Sequence, residues 1–229
     1  MPDLAILEKN LGSKFKNPDL LTQALIHRSY INEHAEIGLD HNERLEFLGD
    51  AVLEIVTTEF LYNNYPNPEG ELTNWRAALV NSKMLAEIAN EIGLDKHILL
   101  SRGESQDAQG KARQFILADA LEAVIGAIYL DRGINPAKKF ILKRVLTRLP
   151  EIIEKKLYLD AKTKFQETAQ ERAGITPTYK VIRDWGPAHN KNFEVGLYLD
   201  NDLIASGTGT SKQEAQVNAA EEGLKAKGW

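Results

Sequence analysis

The chain has 229 residues, 43% apolar and 27% charged, which leaves room for one or two globular domains and supplies enough apolar material for a core. Its formal net charge is −5, so an anionic partner has to be met by a local basic patch or by bound cations rather than by bulk charge. There is no cysteine, which excludes disulfides and thiolate metal sites and fits a reducing compartment.

The first residues, MPDLAILEKNLG, lack a basic stretch followed by a long apolar core, and no run approaches the roughly 20 apolar residues of a membrane helix. A leader and a membrane span are therefore not expected, and a cytoplasmic location is. Helical periodicity then runs to about residue 150. Asn17-Pro18 opens a helix expected to continue through LLTQALIHRSY, and HNERLEFLGDAVL (41–53) lies in a second. YPNPEG (65–70) is a turn, after which ELTNWRAALVNSKMLAEIANEIG is expected to be helical up to Gly93. RGESQDAQGKAR (102–113) reads as a polar loop. FILADALEAVIGAIYLDRG reads as a strongly apolar helix stopped by Gly133, and Asn135-Pro136 starts another through AKKFILKRVLTRL.

The period changes after PEIIEKKLYLD, a short linker candidate whose first part is able to continue a helix. KTKFQETAQERAG is a helix ending at Gly174. PTYKVIRDWG, KNFEVGLYLDN and LIASGTGTS alternate as strands, and SKQEAQVNAAEEGLKAKG closes the chain as an amphipathic helix. The expected fold class is multidomain: an all-α domain over residues 1–150, a linker over 151–160, and a small α+β domain of order α-β-β-β-α over 161–229.

Chemistry concentrates in two of these helices. At about 100° per residue, Glu43, Glu46 and Asp50 fall within an arc of roughly 60° on a helix whose other positions from Leu45 to Val56 are mostly apolar: Leu45, Phe47, Leu48, Ala51, Val52, Ile55 and Val56. Between Phe115 and Leu130 the only charged residues are Asp119 and Glu122, three apart and hence on one side, and Gly126 on that same side leaves space beside them. Two such strips facing one another would repel unless protonated or neutralised by a cation, and an all-oxygen donor set suits Mg²⁺ or Mn²⁺. A solvated helix face also presents acids three apart, and spacing alone does not separate the two readings. His27 and His41 lack metal-ligand spacing and are expected to pack or hydrogen-bond rather than act as bases.

HNERLEFLGD resembles the signature of the ribonuclease III family. The resemblance covers nearly the whole chain: LIHRSY (25–30), PEGELT (68–73) and ILADALEAVIGAIYLD (116–131) are similar to that family's further elements, and KTKFQE, GPAH and GTGTSKQEA resemble a double-stranded-RNA-binding domain. The resemblance implies an all-α ribonuclease III endonuclease domain followed by that RNA-binding domain. It implies a Mg²⁺-dependent endonuclease, with Mn²⁺ able to substitute, that works as a homodimer on double-stranded RNA and leaves 5′-phosphate and 3′-hydroxyl ends with short 3′ overhangs. By the same resemblance Glu46, Asp50, Asp119 and Glu122 hold metal, with Asp50 and Glu122 most closely tied to catalysis. Glu43 and Glu69 border the cleft, and Phe47 inserts into the partner subunit; packing within its own chain is the other reading of Phe47. Processing of ribosomal, messenger and transfer RNA precursors is the role so implied.

In the RNA-binding half, Gln166, Glu167 and Gln170 share one helix face, His189 lies in the GPAH loop, and Ser211 and Lys212 open the last helix. Duplex RNA is read by shape through minor-groove 2′-hydroxyls and phosphates, which suits polar residues in these places. The usual Lys/Arg cluster at the last helix is reduced here to Lys212 followed by Gln213, and charges over 161–229 are close to balanced. A weak isolated RNA-binding domain is therefore expected. The competing function is a non-cleaving double-stranded-RNA binder or RNA chaperone on a nuclease-like scaffold, which the complete set of four acids disfavours.

Overall fold

The helix from Lys111 to Arg132 is apolar nearly all round, and the first part of the chain is built about it. Ala120, Leu121, Ala123, Val124, Ile125, Ala127 and Ile128 are fully buried, as expected of a helix without a polar face. The structure is a computed structural model that describes residues 4–107, 110–187 and 191–229. Two units are distinguished in it, one ending at Lys155 and one beginning at Lys156.

In the first unit α1 (Leu4–Leu11), α2 (Pro18–Ala24) and α3 (Arg28–Ile31) precede the long α4 (Glu43–Asn64). There follow α5 (Glu69–Val80), α6 (Ser82–Glu91), α7 (Arg102–Asp107), α8 (Lys111–Arg132), α9 (Ile134–Arg144) and α10 (Leu149–Glu154). Helix α8 packs against α2, α4, α6 and α9.

Three expectations are corrected here. The helix opened by Asn17-Pro18 stops at Ala24 instead of running to Tyr30, because the backbone at Ile26 forms a parallel bridge with Leu99: His27 N–H donates to Leu99 O (3.0 Å) and Leu99 N–H to Leu25 O (2.8 Å). The helix expected up to Gly93 is broken at Asn81, whose extended backbone (ψ 155) ends α5 and whose side chain accepts from Met84 N–H to cap α6. The segment read as a polar loop holds a helical turn and a half, α7, where Ser101 Oγ accepts from Glu104 N–H (3.1 Å), and α8 begins already at Lys111.

The second unit runs α11 (Ala161–Ala173), β1 (Thr178–Trp185), β2 (Asn192–Leu199), β3 (Asp202–Gly209), α12 (Lys212–Lys227), the expected order. Asp160 caps α11 by accepting from Lys162 and Thr163 N–H, and Gly174 (φ 69) ends it. The strands form one antiparallel sheet in the order β1-β2-β3, with Leu197 opposite Tyr179 and Ala205. Alternation puts Leu197 and Leu199 on one face, where they meet Phe165 and Ala169 of α11 and Ala219 and Ala220 of α12.

Candidate active site

Helices α4 and α8 cross with two glycines at the contact. A Cβ built on Gly49 would run into the backbone carbonyl of Glu122 and lie 2.9 Å from Gly126 N. One built on Gly126 would run into the carbonyl of Leu45 and lie 3.1 Å from Gly49 N. The space expected beside Gly126 is thus taken up by the α4 backbone. Gly49, not singled out from sequence, is its counterpart; the signal for it was the small residue standing between Glu46 and Asp50.

This backbone approach brings the two acidic strips together. Carboxylate oxygens of Glu46, Asp119 and Glu122 lie within 4.8 Å of one another, all three residues being half-buried. Asp50 is exposed at the edge of this group, close enough to act on the charge of both Glu46 and Glu122. Glu46, Asp119 and Glu122 are thus drawn half out of solvent between the two helices, while Glu43 and Asp50 stay exposed.

Electrostatics follow from that crowding. Burial, then the charges of Asp50, Asp119 and Glu46, push the Glu122 carboxyl up to about 8. Burial also raises Glu46, with Asp119, Glu43 and Asp50 adding to it, and raises Asp119 with help from Glu43. Among the described residues no Lys, Arg or His pairs with Glu46, Asp50, Asp119 or Glu122. Arg28 Nη1 (3.7 Å) and His41 Nδ1 (3.8 Å) lie against Glu43 instead. A cluster of oxygens short of positive charge is a donor set of the kind that hard divalent cations take.

Of the remaining residues in this unit, Glu43 adjoins the cluster, while Glu69 does not. Glu69 opens α5, accepts from Thr73 Oγ1 (3.0 Å) and lines a separate cavity of about 680 Å³ with Thr58, Tyr62 and Arg76. His27 accepts from Ser29 N–H and caps α3, a hydrogen-bonding role as expected. Asn42, also missed from sequence, is buried at the start of α4; its side chain donates to Ala24 O and its backbone N–H to Ile26 O, fixing where the helix carrying Glu43 and Glu46 begins.

Residues 17–149 match the family described as Ribonuclease-III-like, and residues 161–227 match the double-stranded RNA binding motif. Ribonuclease 3 of Carboxydothermus hydrogenoformans is 45% identical over 224 residues, spanning 97% of this chain and 94% of that protein. The chain belongs to the ribonuclease III family. Ribonuclease 3 of Borreliella burgdorferi is 44% identical over 95% of this chain and 89% of its own. The solved nuclease domain of ribonuclease III from Campylobacter jejuni, described for flexibility in a region involved in dimer formation, superposes with a TM-score of 0.58 at 43% identity, covering 65% of this chain and 99% of that one. As a ribonuclease III with a double-stranded-RNA-binding motif, the protein is an endoribonuclease directed at double-stranded RNA. Among the described residues no helix is long and apolar enough to cross a membrane.

In the RNA-binding unit of this ribonuclease III, Gln166, Glu167 and Gln170 lie exposed on α11, opposite the buried Phe165 and Ala169. Glu167 pairs with Lys156 (3.6 Å) and Gln170 donates to Thr176 Oγ1 (3.2 Å). Ser211 Oγ caps α12 by accepting from Glu214 N–H (3.1 Å), while Glu214 accepts from Thr210 N–H. Lys212 is exposed at that helix start, its Nζ 5.8 Å from the Phe193 ring centre. His189 lies outside the described residues. In the nuclease unit Phe47 is 80% exposed, which sets aside its packing within its own chain. It stands at a hollow of about 650 Å³ lined also by Leu20, Gln23, His41, Leu48 and Leu130.

Proposed function

We propose that the chain is a Mg²⁺-dependent endonuclease, with Mn²⁺ as a substitute, that cuts both strands of double-stranded RNA as a cytoplasmic homodimer and leaves 5′-phosphate and 3′-hydroxyl ends with short 3′ overhangs. The observation that carries this reading is the meeting of Glu46, Asp119 and Glu122 within 4.8 Å, with Asp50 beside them and no basic partner. We assign residues 1–150 to the catalytic, dimerising domain, 151–160 to a linker and 161–229 to RNA binding, and processing of ribosomal precursors and some messenger and transfer RNA precursors to the whole.

In this reading Glu46, Asp50, Asp119 and Glu122 hold the metal. When bound it makes the attacking water more acidic and offsets charge on the non-bridging phosphate oxygens. The chain's own groups do the rest. The Glu122 carboxyl, raised by burial and its acidic neighbours, would be held in its ionised form by a cation bound there. Asp50, exposed at the rim, faces the incoming phosphate side and orients the water that attacks in line. The water oxygen bonds to phosphorus as the P–O3′ bond breaks, the water gives up a proton to solvent and the departing 3′ oxygen takes one up from solvent, which gives the proposed 5′-phosphate and 3′-hydroxyl ends. Glu43, beside Arg28 and His41, borders the cleft, whereas Glu69 belongs to the separate cavity beside Thr58, Tyr62 and Arg76.

Phe47 supports the homodimer. A protruding ring and an adjacent hollow on one face are self-complementary under a two-fold axis, so each copy seats its Phe47 against the other's Leu20, Leu48 and Leu130. Gln166, Glu167, Gln170, His189, Ser211 and Lys212 contact the duplex in the second unit. Mapping both termini of the products from a long perfect duplex tests the reaction: paired cuts offset between the strands, each with a 5′-phosphate, are expected. Products with 2′,3′-cyclic phosphate ends would sink the hydrolytic route.

A further inference from the structure

Helices that bury ordinary side chains against one another keep their axes about 8–10 Å apart. Where α4 meets α8 the two glycines allow a closer approach, and what each would strike is informative. At Gly49 the obstacle is the carbonyl of Glu122, itself one of the clustered carboxylate residues; at Gly126 it is the carbonyl of Leu45, the residue before Glu46. Both obstacles are backbone, which cannot swing aside as the end of a side chain can. Any opening of this crossing therefore goes directly into the separation of Glu46 and Asp50 on one helix from Asp119 and Glu122 on the other.

We infer that the Gly49–Gly126 crossing sets the size of the cation that the carboxylates accept: closed as it is, it suits a small ion, and widening it moves preference toward a larger one. This rests on the metal-dependent reading above. Mg²⁺ demands ligands at about 2.0–2.1 Å in near-ideal octahedral geometry, whereas Ca²⁺ takes them at about 2.3–2.6 Å in flexible shells. Relieving the overlap of one added Cβ parts the backbones by about 1 Å in so densely packed a contact. That is more than the difference between the two ions. Glu46 and Glu122 can take up some slack by changing rotamer. Asp119, shorter by one methylene, has less reach.

The test is metal binding by the full-length protein, read from the electron paramagnetic resonance of bound Mn²⁺ and its displacement by Mg²⁺ or Ca²⁺. Gly126→Ala is compared with the wild type, with Gly49→Ala as a second variant and Gly103→Ala as a control, since nothing lies within 4 Å of a Cβ on Gly103. In Gly126→Ala the affinity for Mg²⁺ is expected to fall about tenfold or more relative to that for Ca²⁺, the size of effect typical when groups supporting a metal's ligands are changed. Asp119→Glu added to Gly126→Ala restores part of the Mg²⁺ affinity by lengthening the shorter arm. A folded Gly126→Ala whose affinities for the two ions move together, or not at all, overturns the inference and leaves the metal site standing. If neither alanine variant folds, the crossing has no wider setting and the inference also fails. A wild type that binds none of the three ions removes the metal-dependent reading and the inference with it.

Discussion

Glu122 is the residue on which the site turns, and its protonation makes a prediction for the metal-free protein. Its carboxyl is raised from the ordinary 4.5 to about 8, so the folded chain keeps a proton that the unfolded chain gives up across that window. The unfolded state then binds fewer protons, and stability falls as pH rises from about 5 to 8. In EDTA the wild-type Tm is expected to decline over this range relative to Glu122→Gln, which has no carboxyl to titrate. The pH-dependent decline should disappear with saturating Mg²⁺, which would hold the Glu122 carboxyl ionised. A wild-type Tm that climbs relative to Glu122→Gln between pH 6 and 8 would contradict the assignment. His27, lowered chiefly by burial, titrates in both proteins and cancels in the comparison. At this scale the sequence was informative. Glu43, Glu46, Asp50, Asp119 and Glu122 were legible because helical periodicity places acids on faces that are otherwise apolar. Asn42 was not, since its role is a hydrogen bond to Ala24 O, 18 residues away, and nothing in a local pattern signals that.

At the scale of elements, the apolar α8 and the α-β-β-β-α order could be read from period and turn residues. The breaks at Asn81 and after Ala24 were hidden because both flanks keep a helical pattern: at Asn81 the interruption is a local side-chain cap on Met84 N–H, and after Ala24 it is a tertiary pairing in which Leu99 draws the chain out of the helix at Ile26. Gly126 was seen as room beside the acids, but how close a second helix comes is a property of the packed pair and not of either sequence. The α12 cap carries a prediction of its own. Ser211→Ala removes the acceptor for Glu214 N–H and is expected to destabilise the second unit by about 1 kcal/mol, measured by urea unfolding. If Ser211 also meets RNA, as proposed, duplex affinity falls by more than that loss of folding explains; an unchanged affinity would confine Ser211 to its cap.

For the whole molecule, two numbers shape RNA binding: residues 161–229 carry nine Lys and Arg against nine Asp and Glu, and the full chain is at −5. Counterion release scales with the phosphates neutralised, with a slope of about −0.9 per contact for a duplex of the B-DNA type. Residues 155–229 alone are expected to bind duplex weakly and with a shallow salt dependence. Nanomolar binding with a steep salt slope would overturn that expectation. In the proposed homodimer affinity would depend on two copies acting together, and Phe47→Ala is expected to shift sedimentation from dimer toward monomer without lowering the Tm of the monomer, since an 80% exposed ring contributes little to its own chain's core. An unshifted dimer would place the interface elsewhere.

The most direct measurement is cleavage of a long labelled RNA duplex at physiological salt by wild type and by Glu122→Gln, in Mg²⁺ and in EDTA, with gel-shift binding measured on the same preparations. The account predicts short duplex products from wild type in Mg²⁺ alone, and binding without cutting in Glu122→Gln. A wild type that binds the duplex but leaves it intact in both Mg²⁺ and Mn²⁺, or a Glu122→Gln that cuts as well as wild type, would contradict it.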